Sequence, residues 1–278
     1  MASVIHNNPI AALALAIVVL LLLTATLAPW IAPASPTEQQ LSKRLAAPGG
    51  GSWLGSDELG RDILSRIIYG SRVSMSVSLC VVLAAGTLGL LMGSVAAYFG
   101  GWTDRIINVV AINTFLAFPG ILLAIALAAF LGPGVGRVIL ALTVTGWAGY
   151  ARLARAQVAK VRELEYVQAA RSLGAQGWRI WRAHLLPNII PPLLVQATVG
   201  MATAILAEST LSFLGLGVLQ PTPSWGSMLS DARNHLFDAP HLVVSPALAI
   251  MLAVFSFNLL GDALRDWVDP QTRAVLGR

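Results

Sequence analysis

Charge is scarce in this chain. Asp, Glu, Lys and Arg together make up 11% of its 278 residues. Soluble domains carry about 25%, so too few charges are present to solvate a globular surface. Cysteine is nearly absent: Cys80 stands alone, which excludes a disulfide or a cysteine-based metal site within one chain. Its apolar neighbours predict a small buried hydrophobe. Lysine occurs only as Lys43, after Ser42, and Lys160, after Ala159. Neither lies in the Gly-Lys-Ser/Thr of a phosphate-binding loop, whose lysine must reach the terminal phosphates, so ATP hydrolysis is not expected of this chain. His6, His184, His235 and His241 are dispersed and lack the spacing of a metal-binding pair on a helix. No metal set and no catalytic group is read, and a membrane enzyme would have no His-Glu-x-x-His or paired-aspartate site.

Hydrophobic residues, by contrast, reach 56%, and several apolar runs approach the ~20 residues that a helix needs to cross a bilayer. An all-α polytopic membrane protein with six transmembrane helices is expected, near Ile10–Ala28, Val73–Ala97, Ile106–Leu131, Val138–Ala156, Ile189–Phe213 and Val243–Leu264. The first run follows no Lys or Arg, exceeds a signal-peptide core of ~7–15 residues and ends at a poor cleavage site, Ala28-Pro29-Trp30. It is read as a retained span with Trp30 near an interface. Two units follow: residues 1–72, the first span and a polar outer segment, and residues 73–278, the other five spans. The second unit includes a charged loop at about 159–187 and an outer loop at about 214–242.

Basic residues set the orientation. With both ends inside, the inner segments hold eleven: Arg105, Arg152, Arg155, Lys160, Arg162, Arg171, Arg179, Arg182, Arg265, Arg273 and Arg278. The outer segments hold seven. Both termini and the charged loop are therefore expected in the cytoplasm, and the net charge of +5 reflects topology rather than nucleic-acid binding. Ala85, Gly89, Gly93 and Ala97 repeat every four positions, a smooth stripe for close helix approach, within the chain or between copies. Pro119 is expected to kink the third span.

In the charged loop, Val161, Leu164, Val167 and Leu173 recur at helical steps. Gly174 is placed for a left-handed cap or to permit close contact, and a second short helix is expected from Trp178 to Leu186, stopping before Pro187. Two uses remain open at this point: a flat docking surface for a partner, or an interfacial helix lying on anionic lipid.

Ala169-Ala170, three residues, Gly174, then Leu186-Pro187 resembles the cytoplasmic loop shared by permease subunits of ABC importers, departing from it at Gln168 and His184. Three further stretches resemble the C-type permease of the dipeptide, oligopeptide and nickel importers. They are Trp53 to Asp62 (WLGSDELGRD), Ser212 to Val218 with Pro221 to Gly226, and Asn258 to Asp266 (NLLGDALRD). The resemblance implies a type I ABC importer permease fold in a bacterial inner membrane, with the loop forming coupling helices that dock in the ATPase. Glu165, Gln168, Ala169, Ala170, Arg171, Gly174, Leu186 and Pro187 are then the coupling residues. It also implies a homologous B-type permease, two ATPase subunits that carry the ATP and Mg²⁺, and an extracytoplasmic substrate-binding protein. Peptides, glutathione-like compounds and nickel are the substrates within that family.

For a path through the membrane, Gln196, Gly200, Ala204, Glu208 and Ser212 form a stripe at four-residue steps on the fifth span. An intramembrane acid such as Glu208 marks a functional interior or a structural hydrogen bond. Asn113, where relatives often carry an acid, and Asn258 are further path candidates. Asp57, Arg61, Asp62, Trp225 and Arg233 are candidates for docking the binding protein, with ordinary loop packing as the other reading. An ion-driven secondary transporter using Glu208 is the rival class, but such folds show repeated halves, and no duplication is visible here.

Overall fold

In lipid a backbone must satisfy its own hydrogen bonds, as helices or closed barrels do, and the computed structural model is built from helices. It describes residues 9–49 and 51–268. Arg273, Arg278 and both chain ends, which entered the orientation count, lie outside the described residues. The helices are α1 (Pro9–Ile31), α2 (Ile63–Phe99), α3 (Gly101–Ala117), α4 (Gly120–Leu131), α5 (Val135–Val161), α6 (Glu165–Ser172), α7 (Gly177–Phe213), α8 (Trp225–Ala232) and α9 (His241–Val268). No strand occurs among the described residues beyond an isolated bridge between Ser56 and Asp62.

Four helices, α1, α2, α7 and α9, are long and apolar enough to cross a membrane, and the bent pair α3–α4 makes a fifth if taken as one span. The sixth expected span is α5. At 27 residues it reaches about 40 Å, but Gly, Thr, Trp and Tyr interrupt its aliphatic run. Much of one side of α5 lies against α2, where the glycines let the two backbones touch. A side chain on Gly89 would meet Ala151 N at 2.7 Å and Trp147 O at 2.8 Å; one on Gly93 would meet Arg155 N at 2.9 Å. The small-residue stripe is thus an interface within the chain.

Three expected boundaries are corrected. The second span begins at Ile63, not Val73, because Asp62 caps the helix by accepting from Ser65 N at 2.8 Å. The outer charged segment and the span are therefore one 37-residue helix, about 55 Å long, and it crosses the junction at residue 72 unbroken. The third span is not merely kinked at Pro119: α3 and α4 meet at 84°. Phe118 leaves the helical region (φ −89°, ψ 140°), as a residue preceding proline is biased to do. The second short helix of the charged loop does not stop before Pro187. It continues through a π-turn, in which Leu186 N–H bonds Trp181 O, into the whole of α7. That wider turn lies just before the proline, which lacks the hydrogen-bonding N–H of other residues.

Cys80, expected to be buried, is exposed on the bundle's outer surface, as an apolar thiol facing lipid can be. Trp30 is exposed near the end of α1.

Candidate functional site

At the end of the bundle expected to face outward, the charges expected to face a docking protein are paired with one another. Arg61 Nε donates to Asp57 Oδ2 at 2.6 Å, and both side chains are buried. Arg66, also buried, lies 3.5 Å from the same carboxylate, and both arginines reach Asp231 on α8 at 3.3 and 3.4 Å. Burial raises the Asp231 carboxyl above the usual carboxylate range, against the pull of the two guanidinium groups. Trp225 is fully buried and donates Nε1–H to Ile67 O at 3.1 Å. Asp57, Arg61 and Trp225 are thus buried in contacts within their own chain, as the ordinary-packing alternative describes. Buried charges are tolerated only when paired, which is why the sequence brings two acids to two bases here. Asp62 is spent on its helix cap, and only Arg233 of the five is exposed. Replacing Asp57 with Ala, which strands two buried guanidinium groups beside a lone Asp231, is expected to cost about 3–5 kcal/mol. Losing the Asp62 cap should cost only about 1 kcal/mol. Thermal unfolding in detergent measures both.

The outer loop is likewise more ordered than a loop. A capping box between Ser224 and Ser227 starts α8, and Gly226 is pressed against the backbone of Ser209 on α7. The predicted outer loop thus folds inward as a helix against the spans.

Along α7 the four-residue stripe does not keep one face. Each step of four overshoots the helical turn, so Glu208 has rotated about 120° from Gln196. Gln196, Gly200 and Ala204 line a cavity of about 420 Å³ between α2, α4, α5 and α7. Glu208 is wholly buried away from it, accepting from Ser74 Oγ at 3.0 Å and from Ser212 Oγ at 2.7 Å. The carboxyl pins α7 to α2, as the structural alternative for it describes, and Ser212 is buried beside it. Asn258 lies on a different cavity, between α7 and α9, and donates back to Val254 O at 2.9 Å. Asn113 is exposed and faces Arg152, 3.5 Å away. Of the five path candidates, only Glu208 and Ser212 are brought together. The sequence reading missed Tyr150, Thr145 and Thr203, which share the cavity with Gln196. Tyr150 could have been suspected as a bulky polar residue in a glycine-rich run.

At the other end of the bundle, a separate hydrophobic cluster joins Ala97, Ala154, Val158, Val161, Val167, Ile180, Leu185 and Ile189. It seats α6. An eight-residue helix is marginal alone, so this anchoring is what holds it. Val167 points into the cluster, while Glu165, Gln168, Ala169 and Arg171 are exposed and Ala170 half-exposed. Gly174 ends the helix in the left-handed region, φ +82°, with Ala175 N–H bonding Ala170 O at 3.1 Å. That is the cap expected of it. Around the seat, Arg155 grips Asp104 through two bonds, one of 2.6 Å, and Arg162 donates to Ala97 O at 2.6 Å. Asn188 donates to Tyr166 Oη at 3.2 Å and to His184 O at 2.7 Å.

Two residues depart from the expected pattern here. Leu164 and Leu173 are 40% and 89% exposed, because Leu164 precedes α6 at a chain break in helicity and Leu173 ends it; the apparent periodicity ran across two helices. Leu186 and Pro187 lie within α7, the latter on a cavity of about 870 Å³ at this end of the bundle that also includes Lys160, Asp262 and Arg265. The exposed surface of the motif comprises α6, the turn after it and the start of α7, with Leu173 and Trp178 presenting bare apolar side chains and Pro187 also exposed.

A helical membrane bundle with a cavity between its spans and a short, anchored helix projecting from one end suits a transport permease, and the family match makes that class plain. The chain belongs to the family of binding-protein-dependent transport system inner membrane components, which matches residues 85–274. The N-terminal TM domain of oligopeptide transport permease C matches residues 5–48. Among its relatives is a dipeptide transport system permease protein of Alkalihalophilus pseudofirmus, 41% identical over 97% of this chain and 88% of that one. A probable D,D-dipeptide transport system permease protein of Escherichia coli is 40% identical over 96% and 89%. A glutathione transport system permease protein of Pectobacterium atrosepticum is 42% identical over 82% and 75%. In fold, the chain is similar to an inward-facing MetNI methionine ABC transporter, with a TM-score of 0.59 and 18% identity over 73% of this chain and 96% of that one.

Proposed function

We propose that this chain is the C-type permease of an ATP-driven importer of short peptides in a bacterial inner membrane. It pairs with a homologous B-type permease, two ATPase subunits that bind ATP and Mg²⁺, and an extracytoplasmic binding protein. Both termini and α6 lie on the cytoplasmic side. ATP binding closes the ATPases, displaces α6 and rocks the bundle outward; the binding protein then releases peptide, and hydrolysis resets the cycle. Each partner must favour one of the two states for this coupling to work.

The observation that carries the reading is the anchored but outwardly bare α6, whose own chain covers only the Val167 side. A rigid seat transmits force, and an exposed face with Leu173 and Trp178 at its end offers a partner an apolar hold. Support for short peptides comes from the relatives, named for dipeptide, D,D-dipeptide and glutathione transport, all amide-linked compounds of two or three residues. The burial of Glu208 away from the cavity weighs against an ion-coupled acid on the path. Reconstituted with its partners, the transporter is expected to accumulate a labelled dipeptide only when ATP and binding protein are both supplied. Dissipating the proton and sodium gradients should change nothing. Uptake that needs no ATP and stops when the gradients collapse would overturn the reading.

A further inference from the structure

Two cavities approach one another along α7. The inner one, about 870 Å³, opens among the ends of α5, α7 and α9 and includes Lys160, Asp262 and Arg265. The other, about 420 Å³, lies deeper between α2, α4, α5 and α7. Gln196 lines both. Among the described residues around the deeper cavity none is charged, and its polar members are Gln196, Tyr150 and three threonines.

Tyr150 is held in an unusual way. Its ring crosses from α5 through a slot of glycines: Gly86 and Gly89 on α2 on one side, Gly200 on α7 at its tip. A side chain at Gly200 would collide with the Tyr150 hydroxyl and come within 3.2 Å of Cζ, so the slot exists only because position 200 has no Cβ. The side chain is 6% exposed, yet its hydroxyl has no hydrogen-bond partner among the described residues. A buried hydroxyl left unmatched costs about 1–3 kcal/mol, and more where the dielectric is low. Phenylalanine would fill the same slot without that cost. The hydroxyl therefore serves something other than packing, and Tyr150 lines the same cavity as Gln196.

We propose that the Tyr150 hydroxyl and the Gln196 side-chain amide form an uncharged throat that hydrogen-bonds the main-chain amide of the passing peptide. The inference rests on the peptide-import reading and adds the contact to it. The chemistry matches group for group. A peptide unit offers one N–H and one C=O; the Gln196 amide both donates and accepts, and so does a phenol. Neutral partners also suit passage, since a site must bind well enough to admit its cargo and weakly enough to release it. A charged group in this apolar setting would hold a zwitterionic peptide too firmly.

The test uses the complete transporter in proteoliposomes, with binding protein and dipeptide saturating. Tyr150→Phe and Gln196→Leu are measured beside the wild type for dipeptide uptake, melting temperature and co-purification with the ATPases. Each substitution is expected to lower uptake about fivefold, the effect of one neutral hydrogen bond. Assembly should be intact, and the melting temperature of Tyr150→Phe unchanged or higher. Wild-type uptake in Tyr150→Phe would overturn the throat, as would a fall in uptake that merely follows a loss of thermal stability. A wild-type transporter that accumulates no peptide at all would instead sink the parent reading, and this one with it.

Discussion

Gly93→Val is expected to remove most of the folded protein from the membrane. The first added carbon alone would collide with Ala151 O and lie 2.9 Å from both Ala154 Cβ and Arg155 N. Two of those three atoms belong to the backbone of α5 and cannot rotate aside. One helix turn away, Gly89 is closed in the same manner by Tyr150, Ala151 N and Trp147 O. A bulky residue must therefore lever α2 from α5. Overpacking ordinarily costs about 1–3 kcal/mol, and here the loss is at least that, since the two helices touch along several turns. Within lipid no hydrophobic drive restores the contact, because association rests on close packing itself. Membrane yield and melting temperature in detergent measure the effect. Gly149→Ala, which meets nothing within 4 Å, is the control and should behave as wild type. Normal yield and stability of Gly93→Val would mean that α2 and α5 do not meet here.

Substitutions at the exposed end of α6 should produce a different failure: normal insertion with transport lost. Leu173 is 89% exposed, so Leu173→Asp removes almost no packing from its own chain. If that side chain enters a pocket on the ATPase, its loss is a hot-spot loss of about 2 kcal/mol or more. Co-purification of the ATPases and peptide uptake should then fall more than about tenfold, with the melting temperature of the isolated permease unchanged. Gly174 separates shape from contact. At φ +82° a β-branched residue is strained by about 1–2 kcal/mol, whereas asparagine tolerates this region. Gly174→Val is expected to uncouple ATP turnover from uptake, and Gly174→Asn to retain most of both. Equal behaviour of the two would detach the role of position 174 from its backbone conformation.

Much of the architecture was legible in the residues because lipid leaves few alternatives. Aliphatic runs of sufficient length become helices, the Pro119 break lies where it is expected, and Gly174 takes the left-handed cap. Boundaries failed where tertiary partners override local signals. Residues up to 72 read as a polar outer segment, yet Arg66 within it is buried against Asp57 and Asp231, and the helix starts from the Asp62 cap. Pro187 reads as a stop, yet a π-turn precedes it and the helix runs through. Glu208 shows how a pattern can mislead: a four-residue repeat is almost, but not quite, one helix face. Its drift carries the acid away from the cavity to Ser74 on α2 and Ser212 on α7 itself. Arg61 and Trp225 looked available to a partner because exposure is invisible in sequence; pairing across 158 or more positions, Trp225 with Ile67 and Arg61 with Asp231, buries them. Tyr150 was passed over since its meaning lies in three glycines on two other helices.

The claim on which the rest depends is that α6 meets the ATPase. Cys80 is the lone cysteine and exposed, so Cys80→Ser gives a thiol-free background into which Ala169→Cys, on the bare face of α6, can be placed. In the assembled, transporting complex, a short thiol-to-amine linker at position 169 should join this chain to an ATPase subunit. The same linker at Asp238→Cys, at the opposite end of the bundle, should not. An intact transporter in which position 169 reacts only with its own chain or with solvent would contradict the account.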